Sequence, residues 1–317
     1  VLLLREADVR ALLPMAKAIE RMRAAFIDLA AGRALNQPRR RMVLPTRSVL
    51  HAMAGAGPAY FGTKVYATHP QHGAHFLFLL YEAETAAPLA IFEANYLGQI
   101  RTGAVTGLAT DLLSAPDAGR LGLIGSGFQA RSQLEAVLAV RKIREVRVWS
   151  RSVERRSQFA AECERDFGVP VRPVATAREA VEGAPIVVTA TSAREPVLEA
   201  GWIAPGALVN AIGSNQAARR ELPGELVHQA GLIVVDSLEQ ARIESGDLLL
   251  AVPPAEWHTL PLVELADVIA GKSRPGPSAS ITIFKSNGLG LEDVYAAAYV
   301  FEKAREAGCG SQLPIYS

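Results

Sequence analysis

Hydrophobic and polar positions change period along this chain, and the changes divide it. From Pro14 the apolar residues Ile19, Met22, Phe26 and Leu29 recur at helical spacing, and Gly32 can end that helix. Between Arg39 and Phe92 short extended pieces follow one another, at 41–44, 49–53, 60–66, 76–81 and 89–92. Turns rich in Gly, Pro and His separate them, which predicts an antiparallel sheet. Residues 102–113 return to helical spacing, and Ser114-Ala115-Pro116-Asp117 reads as a hinge.

From Arg120 strands and helices alternate. Strands are expected at 121–124, 146–149, 171–174, 186–190, 207–212 and 232–236, with helices at 128–140, 153–167, 176–182 and 225–230. Six strands joined by helices make a doubly wound parallel sheet, so the fold class is α/β. After a further apolar stretch at 281–284, a last helix is expected from 291 to 306, crossing back onto the first domain. The loosest loop by composition is 273–280. The expected domains are 1–116 plus 291–317, and 117–290.

The first strand of the alternating region ends in Leu123-Ile124-Gly125-Ser126-Gly127-Phe128-Gln129-Ala130. This is a G-x-G-x-x-A turn between a strand and a helix, the context that a dinucleotide site requires. Gly125 permits the tight turn, Gly127 lets the backbone approach a pyrophosphate, and Ala130 allows the helix to pack on its strand. Ser126, Gly127, Phe128 and Gln129 would offer N–H groups to the phosphates. The second strand ends in Trp149-Ser150-Arg151-Ser152, with no carboxylate to hold an adenosine ribose. Arg151 can fork onto a 2′-phosphate and Ser150 and Ser152 can donate to it. NADP(H) is therefore the expected cofactor, with NAD(H) possible. Thr189 and Thr191 end the strand beside which the nicotinamide half should lie.

Composition narrows the partners. With 33 basic and 32 acidic residues the net charge is +1, which argues against nucleic acid or a membrane surface held by bulk charge. Two cysteines, Cys163 and Cys309, fit a reduced compartment and give no disulfide framework or cysteine metal site. His69, His72 and His75 have no carboxylate or cysteine near them, so a solvated turn is expected there and no metal. No apolar run reaches 18 residues, and the first six residues turn charged too soon for a secretion signal. A cytoplasmic protein is expected.

Eight separated motifs point to one family. They are Gly62-Thr63-Lys64-Val65, Ile100-Arg101-Thr102-Gly103-Ala104, the glycine turn, Thr189-Ala190-Thr191-Ser192, GALVNAIG at 206–213, Glu221-Leu222, Ser245-Gly246-Asp247 and Thr282-Ile283-Phe284-Lys285-Ser286. In this order, from about residue 35 to 300, the chain resembles the ornithine cyclodeaminase/mu-crystallin family of NAD(P)-dependent enzymes. The resemblance implies a Rossmann domain inserted in a smaller α+β domain for dimerisation and substrate binding, and a homodimer built largely on the N-terminal sheet. It implies that an arginine near 40, Lys64 and Arg101 hold a substrate carboxylate. Counting from Gln37-Pro38 favours Arg40, and counting back from Met42-Val43-Leu44-Pro45 favours Arg41. The segment 282–288, with Ser286, would close over the nicotinamide.

Two departures from the cyclodeaminase pattern bear on the reaction. Asn215 stands where cyclodeaminases carry an aspartate for the distal amine, and His51 where they carry a glutamate. Asn215 can hydrogen-bond an amine but cannot take its proton. Hydride transfer needs only the carboxylate clamp, the cofactor and a proton donor, either His51 or Lys64 with water. The expected function is hydride transfer between nicotinamide and the Cα of a small amino or imino acid. Ornithine (or lysine) cyclodeamination, or NADPH-dependent ligand binding without catalysis, are the alternatives. The loop 215–220 is expected to face the substrate side chain.

Overall fold

Period-two burial builds the first sheet in the computed structural model, which describes residues 1–273 and 280–315. The expected loop at 273–280 thus lies almost wholly outside the described residues. The strands are β1 (Leu2–Leu4), β2 (Leu35–Val43), β3 (Val49–Ala56), β4 (Tyr60–His69), β5 (Gly73–Glu82) and β6 (Pro88–Glu93). β2 to β6 form the expected antiparallel meander, but β1 adds to β6 in parallel. Three leucines are too few for periodicity to reveal such a strand.

On β3 and β4 the buried positions His51, Met53 and Gly55 stand opposite Tyr66, Lys64 and Gly62. The helix Gly290–Ala307 lies against β2, β3 and β4 and packs on the helix Met15–Ala30. Two glycines set where it starts. A Cβ on Gly55 would collide with Leu291 N, and one on Gly290 would stand 2.6 Å from the Ala54 carbonyl. This close approach brings the helix's first turn, with Glu292 and Asp293, down onto the sheet.

The second sheet comprises β7 (Arg120–Ile124), β8 (Glu145–Trp149), β9 (Val171–Pro173), β10 (Ile186–Thr189), β11 (Leu208–Ala211), β12 (Leu232–Val235), β13 (Leu262–Glu264) and β14 (Thr282–Lys285). All pairings are parallel, in the order β13-β12-β14-β11-β10-β7-β8-β9. Strands such as Ile186-Val187-Val188-Thr189 are buried along their whole length because an apolar cluster covers each face of the sheet. The strand order turns between β7 and β10, the switch point beside which such sheets bind ligands. The chain ends on β15 (Ser311–Gln312), antiparallel to β1.

The chain forms two compact units, Val1–Thr102 with the segment from Gly288, and Gly103–Asn287. The division falls inside the helix Asn95–Leu113 and not at the expected boundary of 116–117. That helix begins seven residues earlier than its periodicity suggested, so Arg101 lies in its second turn and does not open it. Among the described residues no helix is long and apolar enough to cross a membrane.

Candidate active site

On the first unit three cations and two carboxylates share one buried cluster. Lys64 Nζ lies 2.8 Å from Asp293 Oδ1, which also accepts from Arg101 Nε at 3.2 Å. Arg101 Nη1 donates to Glu292 Oε2 at 2.7 Å. Arg39 Nη2 donates to Gly288 O at 3.4 Å, and a side chain on Gly288 would collide with the Arg101 guanidinium. Arg39, Lys64 and Arg101 are each at most 5% exposed, and both carboxylates are fully buried. Lys64 comes from β4, Arg101 from Asn95–Leu113, and the carboxylates from the first turn of Gly290–Ala307. The positive end of that helix's dipole favours acids there.

The cluster therefore holds one more cation than anions. Burial lowers the Lys64 pKa to about 8, with the Arg101 charge adding to the fall and Asp293 opposing it. Arg101 moves the other way, held protonated by Asp293 and Glu292 against its burial. A buried amine that titrates near neutrality beside surplus positive charge can both bind a carboxylate and give up a proton.

The arginine run resolves differently from either count. Arg39 is buried in the cluster, Arg40 is exposed, and Arg41 is half-buried opposite His51. The β2–β3 register shifts between Gln37 and Arg40. Beyond this irregularity Arg39 and Arg41 lie on the face shared with His51 and Arg40 on the other, so neither count selects Arg39.

His51 stacks on Tyr66 with ring centroids 4.2 Å apart and planes 5° from parallel, and its Nε2 lies 3.0 Å from Thr68 Oγ1. Burial, and then the charges of Arg41 and Arg39, lower its pKa to about 4. At neutral pH the imidazole is uncharged, which removes the basis for expecting it to serve as the proton donor.

On the second unit the glycine turn is shaped for a dinucleotide. Gly125 has φ +120°, donates its N–H to Trp149 O at 2.8 Å, and would collide with Ala190 O if it carried a Cβ. Gly127 is the N-cap of Phe128–Val140 and has open space where a Cβ would stand. No side-chain hydrogen bond caps that helix, and the positive end of its dipole at Gly127 favours a phosphate there. Ser126 Oγ is turned aside, donating to Ser150 Oγ at 2.8 Å.

The serines beyond β8 are also committed. Ser150 Oγ donates to Ser152 O at 3.3 Å, and Ser152 Oγ donates to Glu154 at 2.8 Å while accepting from Arg155 N. Neither hydroxyl is the ready phosphate donor that the sequence suggested, because both serve the turn and the helix cap. Arg151 and Arg155 remain exposed there.

Three more expected cofactor contacts prove to be internal. Thr189 is fully buried and donates to Glu221 Oε2 at 2.9 Å, while Thr191 gives Glu221 both its N–H and its hydroxyl. Ser286 Oγ donates to Asp236 Oδ2 at 3.0 Å. A polar side chain at the end of a fully buried strand needs a partner, and here a buried acid is the nearer one. Asn215 is half-buried in the loop after β11.

The sequence gives Glu292, Asp293 and Asp236 no site role, offers Arg39 only as a member of the arginine run, and carries Glu221, Asp247 and Lys285 only within the family motifs. Glu292 and Asp293 stand in the first turn of a helix, where acids are ordinary, so the sequence alone carries no signal for their burial.

The sequence model of the ornithine cyclodeaminase/mu-crystallin family matches residues 1–308. A Delta(1)-pyrroline-2-carboxylate reductase of Bacillus cereus is 38% identical over 237 residues, 74% of this chain and 73% of that protein. The solved Thermococcus litoralis Delta(1)-pyrroline-2-carboxylate reductase, in complex with NADH and L-proline, superposes with a TM-score of 0.93 at 34% identity. It covers 99% of this chain and 100% of its own. An archaeal alanine dehydrogenase dimer with bound NAD also reaches 0.93 at 32% identity, covering 100% and 99%.

Proposed function

We propose, from the premise that this chain belongs to the ornithine cyclodeaminase/mu-crystallin family, that it is an NAD(P)H-dependent reductase of a small α-imino acid. The observation that carries this reading is the buried cluster of Arg39, Lys64 and Arg101, with its single surplus positive charge. One substrate carboxylate balances that charge, with the arginines as its forked donors. When bound, the dihydronicotinamide supplies a hydride to the imine carbon. Lys64, as its ammonium, gives the matching proton to the imine nitrogen, so C=N becomes CH–NH and charge balances. Lys64 then recovers its proton from water.

The names of the relatives support a cyclic imino acid such as pyrroline-2-carboxylate. Cyclodeamination finds less support, because a neutral His51 and an amide at Asn215 offer no carboxylate to deprotonate a distal ammonium. For the cofactor, the glycine turn fits either nicotinamide dinucleotide, and the exposed Arg151 favours NADP(H).

Incubation with pyrroline-2-carboxylate should consume NADPH and form proline in equal amounts. Arg151→Ala should weaken NADPH binding about tenfold and leave NADH unchanged. Proline and ammonia made from ornithine without net cofactor change would sink the reductase reading, and equal NADH and NADPH affinities in both proteins would sink the NADP preference.

The sheet face opposite Lys64 carries Met42, Leu50 and Leu77, which are 63%, 40% and 50% exposed. With Val43 and Leu35 on the edge strand, this apolar surface supports pairing with a second copy of the chain. The chain should sediment as a dimer, and a single-chain mass at micromolar concentration refutes the pairing.

A further inference from the structure

The segments that follow β10 and β11 leave the sheet at its carboxyl edge, where open α/β sheets bind their ligands. One buried carboxylate holds both. Glu221 Oε1 accepts from Thr191 N and Thr191 Oγ1, each at 2.7 Å. Its Oε2 accepts from Gly213 N at 2.7 Å and from Thr189 Oγ1 at 2.9 Å. Glu221 is anchored in turn, since its own N–H and that of Leu222 donate to Asp247 Oδ1 at 2.6 and 2.9 Å. Lys285 Nζ pairs with Asp247 Oδ2 at 3.0 Å and donates to Ser214 O at 2.5 Å.

The loop from Gly213 to Glu221, which contains Asn215, is also closed on itself. Ser214 Oγ donates to Arg219 O at 3.0 Å. Gly246 seals it from below, because a Cβ there would collide with Arg219 O and stand 2.6 Å from Gln216 O.

We infer that Glu221 is a positioning residue for the reaction, whose carboxylate clasps the starts of both loops and so fixes where the nicotinamide end of the cofactor is held. The inference rests on the reductase reading above. Its chemical core is that each carboxylate oxygen accepts one backbone N–H, and a backbone N–H cannot turn away. Glutamine has the same shape but offers an acceptor on one side only. Whichever way its amide is flipped, the NH2 faces either the Thr191 N–H or the Gly213 N–H. The two threonine hydroxyls can rotate to suit a glutamine, but the backbone donors cannot. Burial and Asp247 push the Glu221 carboxyl upward, while Lys285 and the Thr191 donors oppose them.

The test is Glu221→Gln, read by NADH fluorescence titration, amide hydrogen exchange and steady-state kinetics. The NADH dissociation constant should rise about tenfold, and exchange at Thr191 and Gly213 should quicken by a similar factor. The kcat should fall while KM for the imino acid stays within about twofold, because the carboxylate clamp is built on the other unit. Unchanged NADH affinity overturns the inference, and so does KM rising in step with the loss of kcat. Titration and exchange need no substrate. They decide the clasp even where the wild type reduces no imine, an outcome that overturns the reductase reading alone. If Glu221→Gln does not fold, Thr191→Val removes one hydroxyl donor and keeps the backbone. A two- to fivefold (roughly) weaker NADH affinity then supports the clasp, and an unchanged one overturns it.

Discussion

Arg101→Met should abolish imine reduction and destabilise the first unit by about 3–5 kcal/mol, the cost of leaving buried charge without its partner. Glu292 and Asp293 are both fully buried, and Arg101 bonds each of them. Methionine fills much of the volume but removes the Arg101 bond to Glu292 and leaves Asp293 paired with Lys64. Arg101→Lys separates binding from stability. A lysine keeps the charge but cannot fork onto two carboxylates and also present a face to a third. Its kcat/KM should fall about 100-fold, near 3 kcal/mol of transition-state stabilisation, with a smaller loss in urea midpoint than methionine causes. Denaturant titration and steady-state kinetics on the two variants check this. An Arg101→Met protein within about 1 kcal/mol of wild type, or active within tenfold, would show that the cluster is not built around this guanidinium.

The same cluster shows how far the residues could be read without coordinates. The parallel sheet was legible because its strands are buried on both faces and read as short apolar runs. The helix Val153–Phe167 was legible because Ser152 caps it and Gly168, with φ +67°, ends it. Lys64 stood out as a lone charge on an apolar strand.

Arg39 was not legible, because a one-residue register shift leaves no mark on composition yet decides which arginine of the run enters the cluster. Glu292 and Asp293 looked like ordinary first-turn acids, which most helices carry at the surface. Only the glycine contact between Gly55 and Gly290, a pairing of residues 235 positions apart in the numbering, takes them inside. Thr189, Thr191 and Ser286 were read as ligand contacts for a related reason. Sequence shows a hydroxyl at a strand end but not the buried acid that claims it.

Lys64 carries the second large effect, and its sign follows from the direction of its shift. Burial lowers its pKa to about 8, so the ammonium that donates the proton is present below that pH and lost above it. Reductive kcat/KM should therefore fall tenfold per unit, roughly, once pH passes about 8, and the reverse oxidation should rise over the same window. A solvent-exposed lysine would hold its proton to about 10.4, so the position of the limb distinguishes this amine from any on the surface. Lys64→Arg keeps the positive charge beside Asp293 but removes the titration near neutrality. Its KM should change little, its kcat should fall by about 100-fold or more, and the alkaline limb should vanish from what activity remains. A wild-type profile flat between pH 7 and 9.5, on the order of the window that this shift opens, would move the proton transfer away from Lys64. The neutral His51 could not take it over as a donor. The proton would then have to come from water held by the cluster, and Lys64→Arg would turn over at nearly the wild-type rate.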